Sequence, residues 1–176
     1  MRRFACCLVA LSLALPVRAA SLTWDESKFD ADFDEAQKPW EEIQAQLPPA
    51  PKADTLRPFT VDAVSTNRYF IDQASLSVGA DGVVRYTVLI RSSAGAETIN
   101  YEGMRCETSE RKIYAFGRPD GSWAKNRYAR WERFSRNLQA SYHRELFNAY
   151  FCAGGEGLAP LKTIIRRLDS GGYQGG

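Results

Sequence analysis

Histidine is nearly absent from this chain: of 176 residues, only His143 is one. Nucleophilic catalysis of the Ser-His-Asp or Cys-His kind needs a base beside the nucleophile, and zinc sites need several Cys or His ligands. We expect His143 to lie on a helix between Tyr142 and Arg144 as a surface or rim residue. A Gly-x-Ser-x-Gly motif is also missing. The sequence therefore predicts no catalytic residue, no metal site and no cofactor.

Long apolar runs are scarce, and the one that stands out lies at the amino terminus, over residues 4–16. With about 13 residues it is shorter than the ~20 needed to span a bilayer. Arg2 and Arg3 precede it and Val17-Arg18-Ala19 follows it, which is the pattern of a cleavable secretory signal. We expect a signal peptide over residues 1–19, a periplasmic location, and no transmembrane segment after its removal.

The chain also lacks a strong charge of either sign. Loss of residues 1–19 removes three of the 23 basic residues and none of the 21 acidic ones, which leaves 20 against 21 and a net charge of −1. Net charge therefore favours no nucleic-acid partner.

Cysteine is sparse as well, because only Cys106 and Cys152 follow the predicted signal peptide. Two thiols in an exported protein are more often joined than free, so we predict a disulfide between them. Redox activity would favour a closer spacing such as Cys-x-x-Cys, which the mature chain does not contain.

Residues 20–55 are predicted to form an acidic aromatic arm followed by a proline-rich linker. Residues 24–46 carry eight acids against two lysines, and Trp24, Phe29, Phe33 and Trp40 interrupt them. Pro39 is placed to open a short helix through Trp40, and prolines 48, 49 and 51 would end it. The spacing of Asp30, Asp32, Asp34 and Glu35 resembles a calcium loop, but that loop's sixth-position glycine and twelfth-position glutamate are missing in register. A solvated or self-docked arm is the preferred interpretation.

Residues 56–169 are predicted to form one α+β domain. Strand-like alternation occurs in residues 74–78, 84–90, 98–104 and 112–117, and turn signals such as Asp81-Gly82 separate the runs. This pattern predicts an antiparallel β-meander of about five strands. We expect one face of the sheet to be solvated, because its outer positions include the polar residues Arg85, Thr87, Arg91, Asn100 and Glu102.

The hydrophobic period changes to a helical one after residue 137. A first helix is expected from about Leu138 to Phe151, with Asn137 as its N-cap, and a second from about Leu158 to Leu168, ending before Gly171. We expect the two C-terminal helices to pack on one face of the sheet, and residues 170–176 to form a flexible glycine-rich tail.

A basic aromatic region over residues 105–136 is the strongest candidate for a binding surface, with nine basic residues against four acids. Arginine binds phosphate and carboxylate, and Trp or Tyr offers flat apolar area for sugar rings. The predicted contact set is Trp123, Arg127, Arg130 and Trp131. Two interpretations stay open: an anionic envelope glycan or lipid head group, or this protein's own acidic arm.

Three stretches, "GADGVVRYT", "NYEGMRCET" and "DGSW" followed by Trp131, resemble the family named after a cryptic neisserial protein. These are small exported proteins of mainly betaproteobacterial origin. The resemblance spans roughly residues 40–168. It implies a location in the envelope and supplies no activity, cofactor or catalytic residue.

The sequence thus favours a non-enzymatic binding or structural protein of the bacterial envelope. The alternative is a protein interaction module in which the acidic arm, residues 24–40, docks a protein partner. A second alternative is an enzyme acting on envelope glycan through paired carboxylates. Its candidate acids are Asp72, Glu102, Glu107 and Glu110.

Overall fold

The computed structural model of the chain describes residues 39–61, 65–134, 141–152 and 157–171. The account below concerns the compact unit Trp40–Gly176. The predicted signal peptide, the Asp30 to Glu35 cluster, the Asn137 cap and most of the glycine-rich tail lie outside the described residues.

Within the described residues, seven strands form one antiparallel sheet. They are β1 Leu56–Phe59, β2 Arg68–Val78, β3 Val83–Arg91, β4 Glu97–Arg105, β5 Glu110–Gly117, β6 Trp123–Lys125 and β7 Glu132–Arg133. The first six follow one another as a meander; β6 pairs with the last three residues of β5, and β7 pairs with its first two. The predicted α+β meander is confirmed with a higher strand count. β1 and β7 have four and two residues, which is too short for alternation to identify a strand.

The β2–β3 hairpin shows why local sequence predicts this topology well. Its turn ends at Gly82, whose φ of 74° suits glycine, and Gly79 N–H donates to the Val83 carbonyl at 2.9 Å. The long alternating strands on either side then pair in register from Arg68 opposite Arg91 to Asp72 opposite Thr87.

In the part of the chain that the structure describes, two helical segments cover one face of the sheet. Helix α1, Tyr142–Glu145, continues as a π-helical stretch, Leu146–Phe151, and α2 is Leu161–Ser170. The wider π turns bury Tyr150 together with Leu146, Phe147 and Phe151, and Ala149 is partly buried against the same core. Helix α2 ends at Gly171, as expected from the sequence.

The core lies between the sheet and these helices. Tyr86 of β3 packs on Phe151 with ring centroids 5.0 Å apart, and Ile71, Val84, Val88 and Ile164 are fully buried around them. The disulfide expected from the sequence joins Cys106, just after β4, to Cys152, just after the π-helical stretch. It therefore ties the sheet to the helical layer.

The prediction for β4 was wrong about which face its residues occupy. Glu102 lies opposite Tyr86, and both are fully buried on the helix side of the sheet, while Tyr101 lies opposite Thr87 on the other side. The polar residues at alternate positions of β4 therefore face the core, because hydroxyl and imidazole groups from β3 and α1 bond them. The face expected to be solvated is also covered, since Arg85 and Thr87 are buried.

The cover on that second face is an irregular segment, residues 40–51, which we call the strap. The sequence predicted a short helix here, but the strap has no helical residues. Its backbone bonds to the sheet instead: Ile43 N–H donates to Asp81 Oδ2 at 2.8 Å, and the Ile43 carbonyl accepts from Arg85 Nη2 at 2.6 Å. Among the described residues, no helix is both long and apolar enough to cross a membrane.

Candidate functional site

The face of the sheet beneath the strap gathers the basic and aromatic residues that the sequence singled out. The Arg105 guanidinium lies 3.8 Å from the ring centroid of Trp40 in the strap, and 5.8 Å from that of Trp131. The two tryptophan rings meet edge to face at 5.8 Å. A cation stacked on an aromatic ring is a favourable contact, and here the strap and the sheet of the same chain supply the two partners.

Glu42 is the strap's acidic contact with this face. Its Oε2 accepts hydrogen bonds from Lys112 Nζ at 2.7 Å and from Trp131 Nε1 at 3.0 Å. Burial raises the pKa of Glu42, but these two donors and the charge of Lys112 outweigh it and hold the pKa below its ordinary value. Glu42 is therefore an anion bound at the basic aromatic surface.

Tyr114 lies beneath the strap because β4 has a glycine at the required place. A Cβ built on Gly103 would stand 2.5 Å from the Tyr114 hydroxyl and 3.0 Å from its ring. Burial and the nearby Glu42 carboxylate raise the pKa of Tyr114 well above its ordinary value. The phenol stays neutral and forms the floor of a cavity described below.

A second anchor of the strap is the pair formed by Asp81 and Arg85. Arg85 Nη2 and Asp81 Oδ2 are 2.6 Å apart, with both side chains nearly buried. Burial raises the pKa of Asp81, and the hydrogen bonds from Arg85 and from the Ile43 N–H outweigh it, so the pKa is lowered. The Asp81 carbonyl also accepts from Trp40 Nε1 at 2.8 Å. The hairpin turn thus holds the beginning of the strap.

The structure separates the predicted contact set into two groups. Trp123 and Trp131 point under the strap, where Trp123 Nε1 donates to the Pro48 carbonyl at 2.7 Å and Trp131 Nε1 donates to Glu42. Arg127 and Arg130 are exposed to solvent. The structure therefore places the two tryptophans under the strap and the two arginines at the solvent-exposed surface.

The two exposed arginines belong to a basic stretch, residues 125–133, which runs from the end of β6 to β7 and which we call the cationic loop. It holds four basic residues and one acid, and its Tyr128 is 85% exposed. Arg130 pairs with Glu132 at 2.8 Å while its side chain remains 77% exposed. The contact set predicted from the sequence includes Arg127 and Arg130 of this loop but not Tyr128, which is one of the aromatic residues of the same basic region.

A buried polar cluster on the opposite face of the sheet was missed by the sequence analysis. The Glu102 carboxylate accepts from Tyr86 Oη at 2.9 Å and from Tyr142 Oη at 2.7 Å. Asn100 Nδ2 donates at 3.0 Å, and His143 Nε2 lies 2.9 Å away. His143 is buried, so the prediction of a surface or rim position was wrong.

The electrostatics of this cluster keep Glu102 charged. Burial would raise the pKa of Glu102, but the charge and hydrogen bond of His143 and the two tyrosine hydroxyls outweigh it and lower the pKa. An ionised carboxylate only accepts, so Nε2 of His143 carries the proton that lies between them. The available signal in the sequence was the pair Tyr142-His143 on a helix predicted to pack on the sheet.

The other three carboxylates considered for glycan cleavage do not join this cluster. Asp72 is buried and accepts from the Ala74 N–H at 3.3 Å, and Glu110 pairs with Arg105 at 3.2 Å. Glu107 is exposed. The structure therefore does not assemble these acids into one site.

Comparison with known proteins is informative about ancestry. The model of the CNP1-like family matches residues 35–169. The chain belongs to the CNP1-like family. It is similar to Cryptic neisserial protein 1 of Neisseria gonorrhoeae (strain ATCC 700825 / FA 1090), with 27% identity over 150 residues that cover 76% of this chain and 73% of that protein. No solved structure matches the chain. Because the family match spans both the strap and the cationic loop, both surfaces belong to the part of the chain that the family model describes.

Proposed function

We propose that this CNP1-like protein is an exported, non-enzymatic protein of the bacterial envelope that binds an anionic envelope component through the cationic loop. The observation that carries the proposal is the exposure of Arg127, Tyr128 and Arg130 beside a basic aromatic face that is otherwise occupied by the strap. Export is supported by the signal-like pattern of residues 1–19 and by the disulfide, since disulfides persist in oxidising compartments.

The bound strap supplies a chemical argument for an anionic ligand. This face holds a carboxylate, Glu42, through a lysine and a tryptophan N–H, and it stacks an arginine on an indole. The cationic loop is also positively charged, because its four basic residues and one acid give a net charge of +3. Arginine forks and an exposed phenol ring suit a phosphate or carboxylate carried on a sugar or glycerol.

The protein interaction alternative receives less support from the contacts. Trp40 and Glu42 belong to the acidic arm that would dock a partner, and both are bound to this chain's own sheet. The remainder of the arm, residues 24–38, lies outside the described residues.

Binding is tested with two probes, phosphatidylglycerol vesicles and purified lipopolysaccharide, each against a neutral phosphatidylcholine vesicle. The charge-reversing double variant R127E/R130E should lose at least tenfold in affinity for the anionic probe and should show a flatter salt dependence. The matched control is K162E/R166E, which makes the same charge change at two exposed positions of α2. Equal binding by the parent and R127E/R130E, or no binding of either anionic probe by the parent, would overturn the proposal.

A further inference from the structure

A cavity of about 340 Å³ opens between the strap, β5 and the cationic loop. The strap contributes Gln44 and Leu47, β5 contributes Lys112 and Tyr114, and the loop contributes Lys125 and Ala129. Its size lies at the lower end of the range for small-molecule sites. The cavity is open to solvent, and its volume accommodates one sugar or glycerol unit.

The charges in the cavity favour a ligand with a single negative group. Lys112 is already paired with Glu42 at 2.7 Å, so the two charges offset each other. Lys125 is exposed at the cavity and makes no ion pair among the residues that the structure describes. One cation is therefore available to an incoming anion, and Arg127 and Arg130 lie in the same loop.

The remaining lining is suited to the body of a polyol. Leu47 and Ala129 supply apolar contacts, and Tyr114 supplies an aromatic ring. The Gln44 amide is exposed and can both donate hydrogen bonds to hydroxyl groups and accept them. Asn126 keeps the loop in place, since its Nδ2 donates to the Ile113 carbonyl at 2.9 Å and its Oδ1 accepts from the Tyr128 N–H at 3.1 Å. Apolar walls with a few fixed polar groups are typical of small-ligand sites.

We propose that this cavity binds one sugar-sized polyol unit that carries a single phosphate or carboxylate, with Lys125 pairing the anionic group. The inference rests on the proposed function and deepens it, because it names the part of the envelope component that enters the protein. The cationic loop then contacts the rest of that component outside the cavity.

The test is a titration of the isotope-labelled protein followed by amide chemical shifts. The probes are D-glucuronate, which represents an acidic glycan, and sn-glycerol 3-phosphate, which represents a lipid head group; glucose and glycerol are the neutral controls. We expect saturable shifts at Ala45, Lys125 and Ala129 for at least one anion, with the neutral partner at least tenfold weaker. The anion that binds more tightly identifies the source of the ligand.

Two variants locate the binding. K125Q should weaken the binding of the anion at least fivefold, and K162Q, an equal charge change on α2, should leave it unchanged. A129F should abolish binding by filling the cavity without a change of charge, and an unchanged thermal unfolding midpoint will show that it is folded. Saturation by neither anion, or equal binding by the parent and K125Q, would overturn the inference.

The outcomes separate this inference from the proposed function. A result in which neither small anion binds, while vesicles or lipopolysaccharide still bind through Arg127 and Arg130, contradicts the cavity as a ligand site. That result supports the proposed function of the cationic loop. If small anions bind in a Lys125-dependent manner and R127E/R130E has no effect on the large probes, binding in the cavity is supported. The proposed role of Arg127 and Arg130 in binding the large component is then contradicted.

Discussion

Glu102 and His143 are 41 residues apart in the sequence and meet at 2.9 Å between the sheet and helix α1. The Glu102 side chain is fully buried, and the side chain of His143 is 11% exposed. Two donors reach each carboxylate oxygen: Tyr86 and His143 bond Oε2, and Tyr142 and Asn100 bond Oε1. The cluster joins β3, β4 and α1 in one network, which orients the helix on the sheet.

Substitution of Glu102 by glutamine should destabilise the protein by about 3 kcal/mol, because breaking a buried ion pair leaves its other groups without a matched partner. The NH2 group of the glutamine is a donor, and it would face the groups that donate hydrogen bonds to the Glu102 carboxylate. Urea unfolding measures the change. Glu107→Gln alters the same group at an exposed site and should stay within about 0.5 kcal/mol of the parent. Equal effects of the two substitutions would show that the network contributes no net stability.

The pairing of Glu102 with His143 predicts how the free energy of unfolding depends on pH. The pKa of Glu102 is lowered from its ordinary value of 4.5 in the folded protein, so its contribution is present above pH 4.5 and is lost as the pH falls through the folded pKa. The free energy of unfolding should therefore fall more steeply with acid in the parent than in the Glu102→Gln variant. Urea unfolding at a series of pH values from 7 downward tests this, and parallel curves for the two proteins would contradict it.

Gly103→Ala should destabilise the protein by about 1 to 3 kcal/mol, since the new methyl group overlaps the Tyr114 hydroxyl at 2.5 Å. Tyr114→Phe removes that nearest atom, so the double variant should recover part of the loss. A double-mutant cycle from thermal or urea unfolding measures the coupling. Strictly additive effects would show that the close approach is not the cause.

The disulfide should contribute about 4 kcal/mol to the free energy of unfolding, because the bond closes a 47-residue loop in the unfolded chain. The double variant Cys106→Ala and Cys152→Ala should therefore unfold at markedly lower urea concentration. Reductant should destabilise the parent and leave the double variant unchanged. A response of the double variant to reductant would point to another cause.

Trp40→Ala should loosen the strap, since it removes the ring over Arg105 and the hydrogen bond to the Asp81 carbonyl. Cleavage after Glu41 and Glu42 by a glutamate-specific protease reports opening of the strap, and we expect it to accelerate at least fivefold. Tyr128→Ala is the control, because Tyr128 is an aromatic residue 85% exposed to solvent. Equal cleavage rates in the parent and Trp40→Ala would show that Trp40 does not hold the strap.

Sequence reasoning worked where local signals were long or chemically specific. Alternation over residues 84–90 and the Asp81-Gly82 turn predicted the central hairpin, and the helical period together with Gly171 predicted the end of α2. The prediction from the sequence was wrong for β4, where the hydrophobicity of a residue did not indicate which face of the sheet it occupies. Tyr101 is apolar and packs under the strap against Trp123, at 6.1 Å, whereas Glu102 is charged and lies in the core. Alternation identifies two faces of a strand but does not say which one meets the helices.

The candidate site shows the same limit. The density of arginine and tryptophan in residues 105–136 was visible in the sequence, but the separation of Trp123 and Trp131 from Arg127 and Arg130 depends on where the strap lies. That placement rests on long-range contacts, such as Glu42 with Lys112 across 70 residues. Periodicity and propensity are local quantities and carry no information on such contacts.

The sequence by itself determined the family, the α+β meander, the two helical segments and the pair of cysteines that join, because these depend on alternation, turn residues and chemistry within short windows. Tertiary structure decided which face of β4 is inside, that Glu102 and His143 pair in the core, and that the strap fills the aromatic face while the cationic loop stays open. Those outcomes follow from the pairing of distant polar groups on burial, since a buried charge requires specific partners wherever the fold brings them.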